Sequence, residues 1–264
     1  MKNKFLPLSL LLVGLTACAG FGEVEMSEAD AQTKMEAISK KTADVDAFHF
    51  SMNTNNPDGT KNNQTITIKT VKQSGGSSTR EFVHYQSTSV DEDYNLKSYL
   101  DWYEFKDEEK GDVIWFKTGS ANAQAACYSK LTSENSYNAA NLAYGMGYLS
   151  VSLNFALYSM PDSLMQSIKA DYTTDKGYET KITYINQIIG GRFVIRMEVN
   201  YTASELQHAS FKHQTAELKY QDNALEAGSY SITSVDDKIS STTFSAKIKD
   251  LDLSKPSGWK NIVQ

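Results

Sequence analysis

"NAANLAYGMGYLSVSLNFALYSM", residues 138–160, holds no charged side chain, although 22% of the chain is charged. It is too long for a strand, and Leu142, Met146, Leu149, Leu153 and Ala156 recur at helical spacing. Tyr144, Tyr148, Val151, Phe155 and Tyr158 occupy another side. The spacing therefore predicts a helix that is apolar over most of its circumference and largely buried. Gly145-Met146-Gly147 weakens it locally, because a glycine costs about 1 kcal/mol against alanine. That segment reads either as a hinge or as a close approach to a sheet. Ser159 and Pro161 end the run, and Pro161 suits the first turn of a second helix, "DSLMQSIKA".

On either side of this helical block the period is two. Upstream, Phe48, Phe50 and Met52 alternate with His49 and Ser51 as in a half-buried strand. "TITIKTV", "EFVHYQST", "YLDWYEF", "DVIWFKT" and "CYSKLT" follow, each rich in β-branched or aromatic residues and separated by turn formers. Downstream, Phe193, Ile195, Met197, Val199 and Tyr201 of "RFVIRMEVNY" share one side, with Arg192, Arg196, Glu198 and Asn200 on the other. "YETKITYINQ" precedes it across Gly190-Gly191, a hairpin signal. "ASFKHQTAELKY", "GSYSITSV" and "TTFSAKIKDL" complete the series. Ahead of all the strands, Ser27 is placed to cap a helix with Glu28 and Asp30 in its first turn, and Ala31, Met35, Ile38 and Thr42 form its stripe.

About ten strands at about 4.8 Å spacing make a sheet roughly 48 Å wide, whereas three helices of about 10 Å cover roughly 30 Å of it. Either the sheet splits into a sandwich or it curls around the helices and leaves an apolar space. The uncharged run suits curling. The expected fold class is α+β: a curved antiparallel sheet of about ten strands, a half-barrel, with an N-terminal helix and a central helical insertion packed on its concave face. The candidate cavity wall comes from both layers: Phe48, Phe50 and Met52, then Tyr148, Val151 and Phe155, then Phe193, Ile195 and Met197. Ordinary core is the competing reading for each, since ligand pockets are themselves mostly apolar.

The front of the chain carries Lys2 and Lys4 before an apolar stretch, Phe5 to Leu15, too short to span a bilayer. Leu15-Thr16-Ala17-Cys18 resembles the bacterial lipobox. The resemblance implies a diacylglyceryl group on Cys18, cleavage before it, and acylation of the new N-terminus with a chain such as palmitate. Two or three acyl chains on one residue make a lasting anchor where one would be marginal. Residues 1–17 are then the signal peptide, 18–26 a lipidated tether, and 27–264 a single domain. Localisation follows as the bacterial cell envelope, on the extracytoplasmic side of a membrane. Cys127 is left without an intramolecular partner, in an apolar setting that suits a buried, inert thiol.

This order of elements behind a lipobox resembles the LolA/LolB-type half-barrel, shared with LppX/LprG-type lipoproteins. The resemblance implies a hydrophobic cavity for acyl chains or lipidated proteins. It rests on element order and the lipobox, so no binding residue follows from it by motif.

Chemistry of other kinds finds little support. The net charge of −6, with no clustered basic face, gives nothing for nucleic acid. His208 and His213 are five apart, on opposite faces of a strand, and no cysteine pair accompanies them. The acids at Asp91-Glu92-Asp93, Asp107-Glu108-Glu109 and Asp236-Asp237 lack calcium-loop spacing and read as solvated turns. Ser257-x-x-Lys260 and Lys117-Thr118-Gly119 occur in the reverse of the order that penicillin-binding enzymes use. No metal site, cofactor or catalytic set is expected. The sequence points to a non-enzymatic, membrane-anchored lipoprotein that binds a lipid or acyl chain for transfer, storage or sensing. The alternative is a surface lipoprotein that holds a protein or glycan without an internal cavity. Cys18→Ser is expected to move the protein from the membrane pellet to the soluble fraction on ultracentrifugation. A variant that still sediments wholly with membranes would remove the anchor.

Overall fold

A computed structural model describes residues 22–74, 76–120, 123–130, 141, 143–145, 147–203 and 209–256, with the side chains of 120–130 outside the description. The leader, Cys18, the side chain of Cys127, His208 and the Ser257–Lys260 fragment therefore lie outside the described residues. Twelve strands form one antiparallel sheet: β1 (Glu23–Glu25), β2 (Ala47–Asn55), β3 (Lys61–Lys72), β4 (Ser78–Val90), β5 (Leu96–Asp107), β6 (Gly111–Ser120), β7 (Ala123–Lys130), β8 (Tyr178–Gln187), β9 (Arg192–Tyr201), β10 (His213–Gln221), β11 (Ala224–Thr233) and β12 (Ile239–Lys247). Among the described residues the helices include α1 (Glu28–Ala43), α2 (Tyr148–Ser159) and α3 (Pro161–Asp171), and a 3-10 turn follows at Thr174–Lys176.

The spatial order is β1-β8-β9-β10-β11-β12-β2-β3-β4-β5-β6-β7. Each half of the chain is thus a run of hairpins, and the halves join where β12 pairs with β2, Phe244 opposite Met52 and Ala246 opposite Phe50. The sheet is open, with β1 and β7 at its edges. The strands expected from alternation are present, and β1 is an addition. The segment read as a tether pairs Glu23 with Gln187 and Glu25 with Ile185. It is fastened by Arg196, which reaches Glu23 and Glu217 from β9. The Arg196 guanidinium lowers the Glu23 carboxyl to about 2.

All three helices sit on one face of the sheet, sharing a core with β2–β5, β6 and β8–β12. α1 forms as its stripe requires: the Ser27 hydroxyl accepts from the Asp30 amide, and Ala31, Met35 and Ile38 are buried. α2 starts only after Gly147, whose φ of 83° lies in the left-handed region that favours glycine. Pro161 opens α3 at its first turn. α1 and α3 are tied by Gln32 to Asp162 at 3.0 Å and by the ion pair of Glu28 with Lys169. α1 also reaches α2, through the Thr42 hydroxyl donating to the Ser159 carbonyl at 3.0 Å.

The expectation that the uncharged helix is buried nearly all round needs correcting. Tyr148, Val151 and Phe155 are buried against β2, β3 and β11, but Leu153 is 67% exposed and Leu157 and Ala156 also face outward. A helix lying on a sheet meets it along one stripe, and only that stripe has to be covered.

The opposite face of the sheet also departs from the alternation reading. Phe82, Phe105, Val113 and Trp115 form a second buried cluster on β4–β6, with Tyr103 against it. The chain after β12 comes back over this face. Lys255 approaches Asp107 at 3.6 Å and stands 5.4 Å from the Phe105 ring centre, and Pro256 is buried. Asp107, read from sequence as a solvated turn acid, is accordingly buried, and it accepts from the amides of Glu109 and Lys110.

One glycine fixes the packing of the central strands. Gly228 on β11 stands opposite Phe244, and a Cβ there would lie 2.3 Å from the Phe244 ring and 2.6 Å from the Glu217 carbonyl. The ring fills the place of the missing side chain, in stacked contact with Tyr158 at 4.6 Å. Gly228→Ala is expected to destabilise the fold by about 1–3 kcal/mol through overpacking, measured as a lower urea midpoint with an unchanged slope.

Candidate functional site

The nine side chains picked from sequence as cavity wall all lie on the helix-bearing face. Phe50, Tyr148, Val151, Phe155, Phe193, Ile195 and Met197 belong to its buried core, and Phe48 and Met52 are half-buried against it. They are occupied with one another and with their neighbours. The Phe48 and Phe155 rings stack at 3.8 Å, and Phe50 meets Phe155 edge-on at 6.0 Å. Tyr148 packs beside Tyr85 at 6.0 Å, and Phe193 lies between Tyr184 and Tyr220. Phe193 also borders an opening of about 240 Å³ with Lys34 and Tyr220, and the larger opening on this face lies elsewhere.

That opening is a cleft of about 390 Å³ where the start of α1 and the end of α3 stand off from β8. Met26, Tyr172, Ile182 and Tyr184 give it an apolar floor, and Glu25, Glu28, Lys169 and Thr180 make up the other, polar half of its lining. The strand alternation that buries Tyr178 and Tyr184 also turns Thr180 and Ile182 to the same side. The backbone is pinned there: the Met26 amide donates to the Tyr184 carbonyl at 2.8 Å, and the Thr180 hydroxyl donates to the Tyr172 carbonyl at 2.8 Å.

Two polar features complete the cleft. At its rim, Lys169 donates to the Glu28 carboxylate. This contact holds Glu28 below the ordinary carboxylate value of 4.5 and raises Lys169 above the ordinary 10.5. Deeper in, Tyr184 is only 6% exposed, and its hydroxyl has no hydrogen-bond partner among the described residues. Burial raises its pKa, and Lys169, Glu28 and Asp162 are within electrostatic reach of it. A buried hydroxyl without a partner is uncommon and is satisfied by water or by a ligand's polar group. The cleft can therefore take an amphiphile: carbon chain on the floor, charged or polar head at the Lys169–Glu28 rim and the Tyr184 hydroxyl.

Sequence reasoning passed over these residues. The signal available was the period-two side of "YETKITYINQ", which carries Thr180, Ile182 and Tyr184 together; Met26 and Lys169 have no local signal and reach the site only through tertiary packing.

The described histidines are elsewhere, as ordinary hydrogen-bonding residues. His49 Nδ1 lies 2.8 Å from the Thr67 hydroxyl, and His84 Nε2 lies 2.8 Å from Asp101 with its ring stacked on Tyr103 at 3.9 Å. His213 Nδ1 is 2.7 Å from the Asn200 side-chain oxygen. Other clefts lie on the strands, one of about 730 Å³ beside Arg80, Glu104 and Val113 and one of about 350 Å³ beside Arg196, Glu198 and Glu217.

Comparison with known proteins adds little. No family model matches the chain, and no curated protein matches it. Among solved structures, a DUF1329 family protein from Desulfovibrio piger is similar at 11% identity over 84% of this chain and 94% of that one, with a TM-score of 0.22. A score so low gives that likeness no weight for fold or function.

The rim pair sets a pH window. Glu28, with its pKa depressed, contributes above the ordinary 4.5 and loses its contribution as pH falls through its lowered value. Lys169, with its pKa raised, contributes below 10.5 and loses it only as pH rises beyond that. The rim is therefore closed from mildly acid to alkaline pH. In an NMR titration the Glu28 carboxyl is expected to turn over below 4.5, and Lys169→Met is expected to bring it back up toward the ordinary value.

Proposed function

We propose that this chain is a non-enzymatic bacterial lipoprotein, held by acyl chains on Cys18 at the extracytoplasmic side of an envelope membrane. Its sheet curves as a half-barrel around the helices, and it binds the acyl chain of a lipid between helices and sheet, for transfer, storage or sensing. The observation that carries this reading is the cleft at α1, α3 and β8. Its volume falls within the range of about 300–1,000 Å³ usual for small-molecule sites. Its lining is mixed, with Met26, Tyr172, Ile182 and Tyr184 supplying apolar and aromatic surface and Glu25, Glu28, Lys169 and Thr180 supplying polar groups, a combination that suits an amphiphile. The nine packed residues deeper in the core are the space into which a longer chain would extend, displacing α2. That helix presents apolar side chains on both its inner and outer faces and begins at a glycine, so moving it desolvates no charge.

A second reading, a lipoprotein that holds a protein or glycan on its surface, draws support from exposed Leu153, Leu157 and Tyr144. The two separate on uptake. Cys18→Ser protein is expected to carry extractable lipid in native mass spectrometry and to take up a fluorescent fatty-acid analogue. Ile182→Trp fills the cleft floor and is expected to weaken that uptake tenfold or more, equivalent to about 1.4 kcal/mol, with the urea midpoint retained. A clean apoprotein mass with no uptake would transfer the function to the surface reading.

A further inference from the structure

The turn between β8 and β9 exposes two adjacent isoleucines, Ile188 at 65% and Ile189 at 74%. From Asn186 to Gly191 the chain carries no charge. Gly190 and Gly191, at φ 92° and 63°, make the reversal that leaves both isoleucines at the tip. Single exposed apolar residues are ordinary on a soluble surface, but this pair has company. Val24, on the neighbouring strand, is 51% exposed. The tip is also held against the start of the described chain: the Ile188 amide donates to the Gly22 carbonyl at 2.6 Å, and a Cβ on Gly22 would lie 3.2 Å from Ile189.

Gly22 is four residues from Cys18, and four residues of extended chain reach at most about 14 Å. Acyl chains on Cys18 put that residue at the bilayer surface. Whatever path residues 18–22 follow, the tip is then kept within a short reach of the headgroups. We infer that the Ile188–Ile189 tip, with Val24 beside it, inserts into the boundary between headgroups and acyl chains next to the lipidated Cys18. This second point of attachment fixes how the domain stands on the membrane. The inference rests on the lipoprotein reading proposed above, and its occupant is the bilayer that carries the anchor.

The test uses the full acylated protein with Ile189→Trp, reconstituted in phosphatidylcholine vesicles with and without bromine on the acyl chains. Emission is read as the difference from the same protein without the substitution, because three native tryptophans are present. The added tryptophan is expected to emit at shorter wavelength and to be weaker by roughly twofold or more in brominated vesicles, as for a group about 5–10 Å into the headgroup boundary. Ile188→Trp repeats the measurement at the adjacent position, so misfolding of one variant does not decide the result. Water-like, unquenched emission, with acyl mass present on the Cys18 peptide, overturns the tip insertion and leaves the anchor standing. Shifted but unquenched emission marks a protein contact and overturns it as well. A Cys18 peptide without acyl mass overturns both, because the 14 Å reach then fixes nothing to a membrane.

Discussion

The fold turns on one constraint: the chain finishes its first meander at one edge of the sheet, on β7, and must resume beside the other edge, on β8. A connection of that length cannot run across open solvent without structure of its own, because its backbone groups need partners and its apolar side chains need cover. Helix α2 answers both needs over its own length: it satisfies its backbone internally, and its Tyr148, Val151 and Phe155 stripe lies on the middle strands β2, β3 and β11. Crossing the middle also seals the seam between the two halves, since Tyr158 stacks on Phe244 of β12 and Phe155 on Phe48 of β2. The helix that connects the halves thus stabilises the pairing that makes them one sheet.

Period and composition made most of this legible. α1 was readable because its cap, its first-turn acids and its stripe agree, and every long strand was readable because alternation persists over several residues. β1 was not, since three residues give no period and their pairing depends on Arg196 arriving from β9. The opposite face was misjudged for a related reason. Alternation says which residues share a face, yet it cannot say whether something covers the other side. Phe82 and Trp115 are packed around Tyr103, and Phe105 lies under Lys255 of the chain that returns beyond β12, tertiary contacts with no local signal. The same holds for the cleft: Ile182 and Tyr184 were visible as an apolar side of a strand, but only the stand-off of α1 and α3 makes that side a site.

The apolar run in the middle of the chain shows where hydropathy stops being informative. Its length and lack of charge excluded a strand and located the insertion correctly, but apolarity all round did not translate into burial all round. Leu153 and Leu157 remain in contact with solvent, at a cost that a polar residue would remove. On the proposed reading α2 is the element that gives way to a longer chain, and doing so breaks its bonds from Thr42 and Tyr220. α1 is tied at both ends of its length, to Asp162 and Lys169 on α3 and to the Ser159 carbonyl of α2, and its outer face is charged.

Tip, tether and cleft also fall on one line. Tyr184 on β8 and Ile188 in the turn after it are four residues apart, at most about 14 Å of extended chain, and Met26 of the cleft follows directly on β1, which leads back to Gly22. On the proposed reading, the floor of the cleft therefore begins about one headgroup layer away from the membrane side of the molecule. An acyl chain passing between bilayer and protein would then leave the membrane beside the isoleucine tip and meet Ile182 and Tyr184 after a short transit. The Glu28–Lys169 pair lies at the rim of that route, as an exposed contact that on this reading a head group would exchange for its own. On that reading the rim needs no deep cavity at rest, and the packed core around Phe48 and Phe155 is a separate region that only a longer chain would have to open.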